Sequence, residues 1–314
     1  MYRVFHWHKW RDAGLLVLVA LLAVAGVGEA VLSSRRPAAA VAAETTGTAP
    51  AVCLPIVMYH GILEDPARIG RYVISATQFE KDLEYIRSAG YETIVMADLL
   101  AYVSEGTPLP EKPIMLTFDD GYYNNYFYAY PLLKKYGMRA VISPVVSWSQ
   151  QYSDSPQEQD HLVYSHITWA QIREMVESGA VEIQSHSYDM HYCESGKRKG
   201  TLKRAGETTE QYRLALQQDL TTAQQLLTQN AGVTPTVFTY PYGAICDEAK
   251  AIIREMGFRG TLTCESRINR ITRQPDCLYG LGRYLRPSGT DSRTYFNKIF
   301  TAAQAAQNKE TKNR

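Results

Sequence analysis

The stretch Met115-Leu-Thr-Phe-Asp-Asp-Gly-Tyr122 decides how this chain is read. An apolar run fit for a buried strand ends in two adjacent carboxylates, Asp119 and Asp120, and then in glycine. Adjacent carboxylates repel, so the pair is favourable only where a cation or a proton relieves it. A metal neutralising Asp120 leaves Asp119 free to take a proton from water. The plainer alternative is a turn, for which Asp-Asp-Gly is a common composition.

Working outward, two more strand-like runs close on unusual polar residues. Gln184-Ser-His-Ser-Tyr-Asp-Met-His191 sets two histidines close together. Neutral imidazole is a common ligand of zinc and its neighbours. One Asp and two His with open positions make a facial site for a divalent metal. Each histidine alone is more ordinarily a satisfied surface or core residue, but a pair beside a second strand-end carboxylate pair outweighs that. In Phe238-Thr-Tyr-Pro-Tyr-Gly243, Pro241 and Gly243 force an irregular turn. Such a turn can aim a backbone N–H at a developing oxyanion. By itself it is more often only a loop.

Between these endings, strand-like and helix-like stretches alternate. Residues 55–59, 92–95, 113–117, 139–146, 181–184, 237–240 and 260–263 read as strands. Residues 77–89 place Phe79, Leu83 and Ile86 on one helical face, with Gly90 as a stop. Further helices are expected over 124–136, after the Thr168–Gln171 capping box, over 207–230 and over 247–256. Alternation of this kind implies an α/β fold with a parallel sheet and crossover helices. The C-terminal ends of such strands gather at one mouth. The unusual polar residues all fall there.

At these residues the chain resembles the polysaccharide deacetylase family, the NodB-homology domain of carbohydrate esterase family 4, over roughly residues 54–290. The segment from Thr117 to Tyr122 is highly specific to that family, and the paired-His segment moderately so. The resemblance implies a distorted (β/α) barrel and metal-dependent removal of acetyl groups from N-acetylated sugars. It implies Asp119 as catalytic base, Asp120, His186 and His191 as metal ligands, and the Tyr242 backbone N–H as oxyanion donor. Tyr122, Pro241 and Arg283 are expected along the substrate path. Zinc is the expected ion, and cobalt, nickel or iron also suit an Asp-His-His set.

Three departures from the family pattern matter. One more residue separates His186 from His191 than the common spacing has. Thr239 stands where an arginine that steadies the base is usual. No histidine follows His191, so the family's late general acid is missing. Of the seven histidines, His6 and His8 precede the apolar N-terminal run, and His161 and His166 lie in a polar insertion. His60 ends the first strand and is expected to face the same mouth. The long His spacing and the early Tyr59-His60-Gly61-Ile62 resemble the poly-N-acetylglucosamine deacetylases of biofilm systems, in which late motifs move to the N-terminal side. His60 is therefore the expected general acid, against the blander reading of a core His at a strand end. Arg283 is a candidate for the charge missing at Thr239, and Arg286 for contact with a sugar or anion.

The rest of the sequence sets bounds. Among 314 residues, 45% are hydrophobic and 21% charged, which permits a sizeable core. A formal net charge of +1 gives no electrostatic case for a nucleic-acid partner. The five cysteines include no CxxC pair, and Cys264 with Cys277 is an open question. Residues 1–12 carry Arg3, Lys9 and Arg11 and read as a cytoplasmic N-terminus; residues 13–32 read as a transmembrane or signal-anchor segment. Cleavage as a signal peptide is the rival, and both export the remainder. Residues 33–52 read as a flexible linker, 53–301 as the catalytic domain, and 302–314 as a frayed polar tail. The expected partners are a cell-envelope or extracellular polysaccharide and, through the N-terminal helix, a membrane. Poly-N-acetylglucosamine, peptidoglycan and chitin-like chains all fit. A degenerate sugar-binding protein and an O-acetyl esterase are the rival functions.

Overall fold

A computed structural model describes residues 51–194 and 197–312. The expected membrane segment and nearly all of the linker lie outside these. Among the described residues no helix is long and apolar enough to cross a membrane.

Seven short strands build the barrel: β1 (Ile56–Tyr59), β2 (Pro113–Asp120), β3 (Ala140–Pro144), β4 (Val181–Ile183), β5 (Val237–Thr239), β6 (Gly260–Leu262) and β7 (Tyr284–Leu285). They pair in parallel in the order β7-β1-β2-β3-β4, with β5 and β6 as a separate parallel pair. Single bridges close the gaps. Ser185 lies beside Phe238, and Leu262 beside Leu281, three residues before β7. The bond from Thr239 N–H to the Ser185 carbonyl is 2.8 Å, as is that from Leu281 N–H to the Thr261 carbonyl. The ring is therefore complete but thinly stitched at two seams, a distorted (β/α) barrel.

Alternation along each strand divides its side chains between inside and outside. Leu54, Ile56, Met115, Val141, Val237, Leu262 and Leu281 form the interior cluster. Val57, Tyr59, Leu116, Phe118 and Ile142 face outward into a second cluster beneath the helices. All eight residues of β2 are buried, as a strand covered on both faces requires. The same parity carries Met58 and His60, then Thr117 and Asp119, up the inner column to its mouth.

The outer layer contains α1 (Ala76–Ser88), α2 (Met96–Glu105), α3 (Tyr130–Tyr136), α4 (Val146–Asp154), α5 (Trp169–Glu177), α6 (Thr209–Ala231), α7 (Asp247–Glu255) and α8 (Ser292–Lys312). The Thr168 hydroxyl and the Gln171 side chain form the reciprocal cap of α5. In α6, Tyr212, Leu216, Leu220, Ala223 and Leu227 make the buried stripe. Helices α2, α4 and α8 were not anticipated from sequence periodicity.

Two expected boundaries are corrected. The tail after residue 301 does not fray: α8 continues to Lys312, with Phe296, Ile299, Phe300 and Ala303 buried. Gln307 accepts from the Cys53 N–H at 2.9 Å and donates to the Ala51 carbonyl at 3.0 Å. Those contacts also fold the last residues of the expected linker, where Val52–Leu54 pairs with Asn269–Ile271. All five cysteines are free thiols, so Cys264 and Cys277 are not bridged.

Candidate metal centre and catalytic groove

Three loops at the C-terminal ends of β2, β4 and β5 carry the polar motifs, and each is bent the same way. Among the described residues, Asp120 (φ 70°), Ser187 (φ 76°) and Tyr242 (φ 59°) are the non-glycine residues with left-handed backbone. Each such conformation costs about 1–2 kcal/mol and persists where surrounding structure holds it, typically at functional sites. At the first bend Gly121 (φ 73°) leaves no room for a side chain, because an added Cβ would stand 2.6 Å from that of Pro144.

These bends bring Asp120, His186 and His191 together, with one ligand atom from each lying within 4.8 Å of the others. Asp120 Oδ1 is 3.1 Å from His191 Nε2 and 3.5 Å from His186 Nε2. A tetrahedral ion with bonds of about 2.0–2.1 Å holds its ligand atoms roughly 3.3 Å apart. Asp120 Oδ1 is buried and makes no well-formed hydrogen bond, despite its closeness to His191. His186 Nδ1 is 2.8 Å from the Thr239 carbonyl. A carbonyl only accepts, so Nδ1 carries the proton and Nε2 presents its lone pair to the site. His191 Nδ1 lies 3.0 Å from the Tyr242 hydroxyl. Donor set, spacing and tautomer fit a divalent ion. The Asp120 carboxyl would be raised by burial, but the neighbouring His191 outweighs that and holds it well below the usual carboxylate range. Burial pushes His186 down to about 4, so its ring is neutral at physiological pH.

Asp119 sits beside this cluster and faces a different partner. Arg283 donates to its two oxygens at 2.6 and 2.8 Å. The guanidinium also donates to the Thr263 carbonyl at 2.9 Å and the Thr117 hydroxyl at 3.2 Å. Burial alone would raise the Asp119 carboxyl; the Arg283 charge reverses this and keeps it below its ordinary value. The charge expected at position 239 is thus supplied to Asp119 by an arginine 44 positions later in the chain. Thr239 itself is buried, its hydroxyl 2.8 Å from that of Ser143.

The centre opens into a groove of about 940 Å³, lined among others by His60, Tyr72, Tyr122, Lys199 and Tyr242. His60 packs against Tyr72, with ring centroids 5.0 Å apart, and its Nδ1 has no partner. Its backbone is held by Asn125, which donates to the His60 carbonyl at 2.7 Å. Two expectations for the substrate path are corrected. Pro241 is buried in its turn rather than lining the groove. Arg283 is fully buried and committed to Asp119, so it cannot touch a polymer. Arg286 is likewise buried and donates to both oxygens of Asp82 at 2.9 and 3.0 Å.

Two contributors escaped the sequence reading. Asp219, on α6, accepts the N–H groups of Tyr188 and Asp189 at 2.8 Å each and so pins the loop between the two histidines. An isolated aspartate in the middle of a Gln-rich helix carries no signal of that role. His166, assigned to a polar insertion, is buried among Tyr122, Trp148 and Tyr152. Burial pushes it down to about 4. The bridge between Tyr122 and His166, and the Trp148 ring shared with His191, bring it beside the centre.

A family profile described as polysaccharide deacetylase matches residues 106–261. The chain belongs to the polysaccharide deacetylase family. The poly-beta-1,6-N-acetyl-D-glucosamine N-deacetylase of Escherichia coli K12 is 30% identical over 226 residues. That match covers 67% of this chain but 34% of the relative, so the chain spans about a third of the relative's length. The structure of IcaB from Ammonifex degensii superposes with a TM-score of 0.65 at 27% identity, covering 81% of this chain and 97% of that one. A de-N-acetylase from Aggregatibacter actinomycetemcomitans gives 0.63 at 27% identity, covering 78% and 98%.

Proposed function

We propose that this chain hydrolyses N-acetyl groups from an N-acetylglucosamine-containing polysaccharide in a metal-dependent reaction. The observation that carries the reading is the convergence of Asp120, His186 and His191 beside an Asp119–Arg283 pair at the floor of an open groove. The named activity of the Escherichia coli relative supports the polymer class. Zinc is the first choice of ion, with cobalt, nickel or iron as alternatives. Once bound, such an ion supplies Lewis-acid polarisation of the acetamide carbonyl and acidifies water.

The protein's own groups do the rest. Asp119, kept ionised by Arg283, takes the proton of the attacking water. The Tyr242 backbone N–H donates to the developing oxyanion, an interaction worth about 3–4 kcal/mol in comparable sites. His60 protonates the leaving amine. Tyr122 and the half-exposed Tyr72 offer aromatic surface to the sugar chain. The basic, apolar N-terminal stretch supports placing the catalytic domain outside the cytoplasm, tethered or released.

The test is acetate release from β-1,6-linked N-acetylglucosamine oligomers and from peptidoglycan. The purified chain is assayed with zinc, cobalt or nickel, and again after chelation. Release that needs the ion and disappears in Asp119→Asn is the expected result. A folded, metal-loaded chain that releases no acetate from any N-acetylated polymer overturns the proposal in favour of a sugar-binding protein. Release confined to O-acetylated xylan makes it an esterase.

A further inference from the structure

The two histidines of the centre are anchored unequally. His186 is buried, and its Nδ1–H is fixed by a main-chain carbonyl in the barrel wall. His191 is the more exposed of the two, at 14% against 2% for the side chain. Its hydrogen-bond partner among the described residues is not main chain but the Tyr242 hydroxyl, 3.0 Å from Nδ1. The two rings lie over one another, with centroids 4.3 Å apart and planes inclined by 33°.

We propose that the Tyr242 side chain is the positioning residue that fixes the His191 ring and tautomer for metal binding, a task distinct from that of its backbone N–H. The inference rests on the metal reading above. An imidazole that coordinates through Nε2 bears its proton on Nδ1, and that N–H needs an acceptor. A phenol oxygen accepts it, while the ring face limits rotation about the histidine side-chain bonds.

The placement of Tyr242 is strongly determined. Its left-handed backbone is locked by bonds from Gly243 N–H to the Tyr240 carbonyl and from Ala244 N–H to the Pro241 carbonyl, each 3.0 Å. The segment after His191 braces the same turn. His191 bridges to Lys199, Gly200 N–H donates to the Met190 carbonyl, and Thr201 N–H donates to the Ala244 carbonyl. A Cβ on Gly200 would stand 2.6 Å from the Pro241 carbonyl oxygen, so the two segments are in direct contact. The His191 loop and the Tyr242 turn are thus one interlocked unit, and the strain at φ 59° is retained where it aims the hydroxyl.

The experiment uses the full chain and Tyr242→Phe, which keeps the ring and the backbone N–H and removes one oxygen. Zinc affinity is measured by competition with a chromophoric chelator, and the site is also read by the visible absorption of bound Co(II). Loss of an outer partner of a ligating histidine weakens binding by about 10–100-fold. The variant is expected to show a dissociation constant raised in that range and altered Co(II) bands, with the metal-free protein melting within about 2 °C of wild type, as a single exposed-site change allows. Wild-type affinity and an unchanged Co(II) spectrum in Tyr242→Phe overturn the inference alone. A wild-type chain that takes up no ion overturns the metal reading and this inference with it.

Discussion

Replacing Arg283 by methionine removes a charge while keeping much of the side-chain volume. Arg283 and Asp119 are 0% and 3% exposed at their side chains, so the pair lies out of bulk water. Four hydrogen bonds are lost, two of them to the carboxylate. Breaking a buried pair on one side costs about 3–5 kcal/mol. At roughly 2–4 °C per kcal/mol for a domain of this size, the melting temperature should fall by about 10 °C. The carboxyl should respond in a definite direction. In the wild type, burial raises it and Arg283 more than compensates, so it sits below its ordinary value. The pair therefore contributes stability that is complete above about pH 4 and is lost as pH falls through the lower folded value. In Arg283→Met burial is left unopposed by the guanidinium, and the carboxyl moves upward. Less base is then ionised at a given acid pH, and the acid limb of kcat/KM shifts to higher pH. Thermal unfolding at pH 7 and a pH profile of acetate release measure the two effects. Arg283→Lys, which keeps the charge without the fork, should recover part of both. Melting within about 2 °C of wild type, with an unmoved acid limb, would refute the reasoning.

Three further outcomes are expected. His60→Asn should bind metal normally by equilibrium dialysis while turnover drops about 10²–10⁴-fold; near-normal turnover removes His60 from the mechanism. Gly121→Ala forces a Cβ to 2.6 Å from that of Pro144 at φ 73°, and should lower stability by about 2–5 kcal/mol in urea unfolding. An unchanged urea midpoint would mean that the contact is not tight. Arg198, 5% exposed, holds the Glu207 carboxyl below its ordinary value chiefly by hydrogen bonding, so that pair stabilises above about pH 4.3 and fails as pH falls through the folded value. Glu207→Gln should be about 2 kcal/mol less stable at pH 7 and have a shallower acid limb of stability; an equally steep limb assigns the acid sensitivity elsewhere.

The inner column explains which parts of the centre were legible. Strand parity is readable from a sequence, and parity places His60 on the same face as Met58, and Asp119 on the same face as Thr117. Chain order and strand ends therefore sufficed to gather His60, Asp119, Asp120, His186 and His191 at one mouth. The parts that stayed hidden depend on closure. Arg283 and Arg286 flank β7 in the run Gly282-Arg-Tyr-Leu-Arg-Pro287, and nothing in their local composition separates them. Three positions apart, they face opposite sides of the sheet. Once Leu281 pairs with Leu262 and β7 with β1, one guanidinium turns inward to Asp119, 164 residues away, and the other outward to Asp82 on the buried face of α1. Had the ring closed with β7 shifted by one residue, the two would have exchanged sides, and Asp119 would have lost its partner. The register of a two-residue strand thus sets the charge beside the Asp119 carboxylate, a long-range choice that local periodicity does not encode.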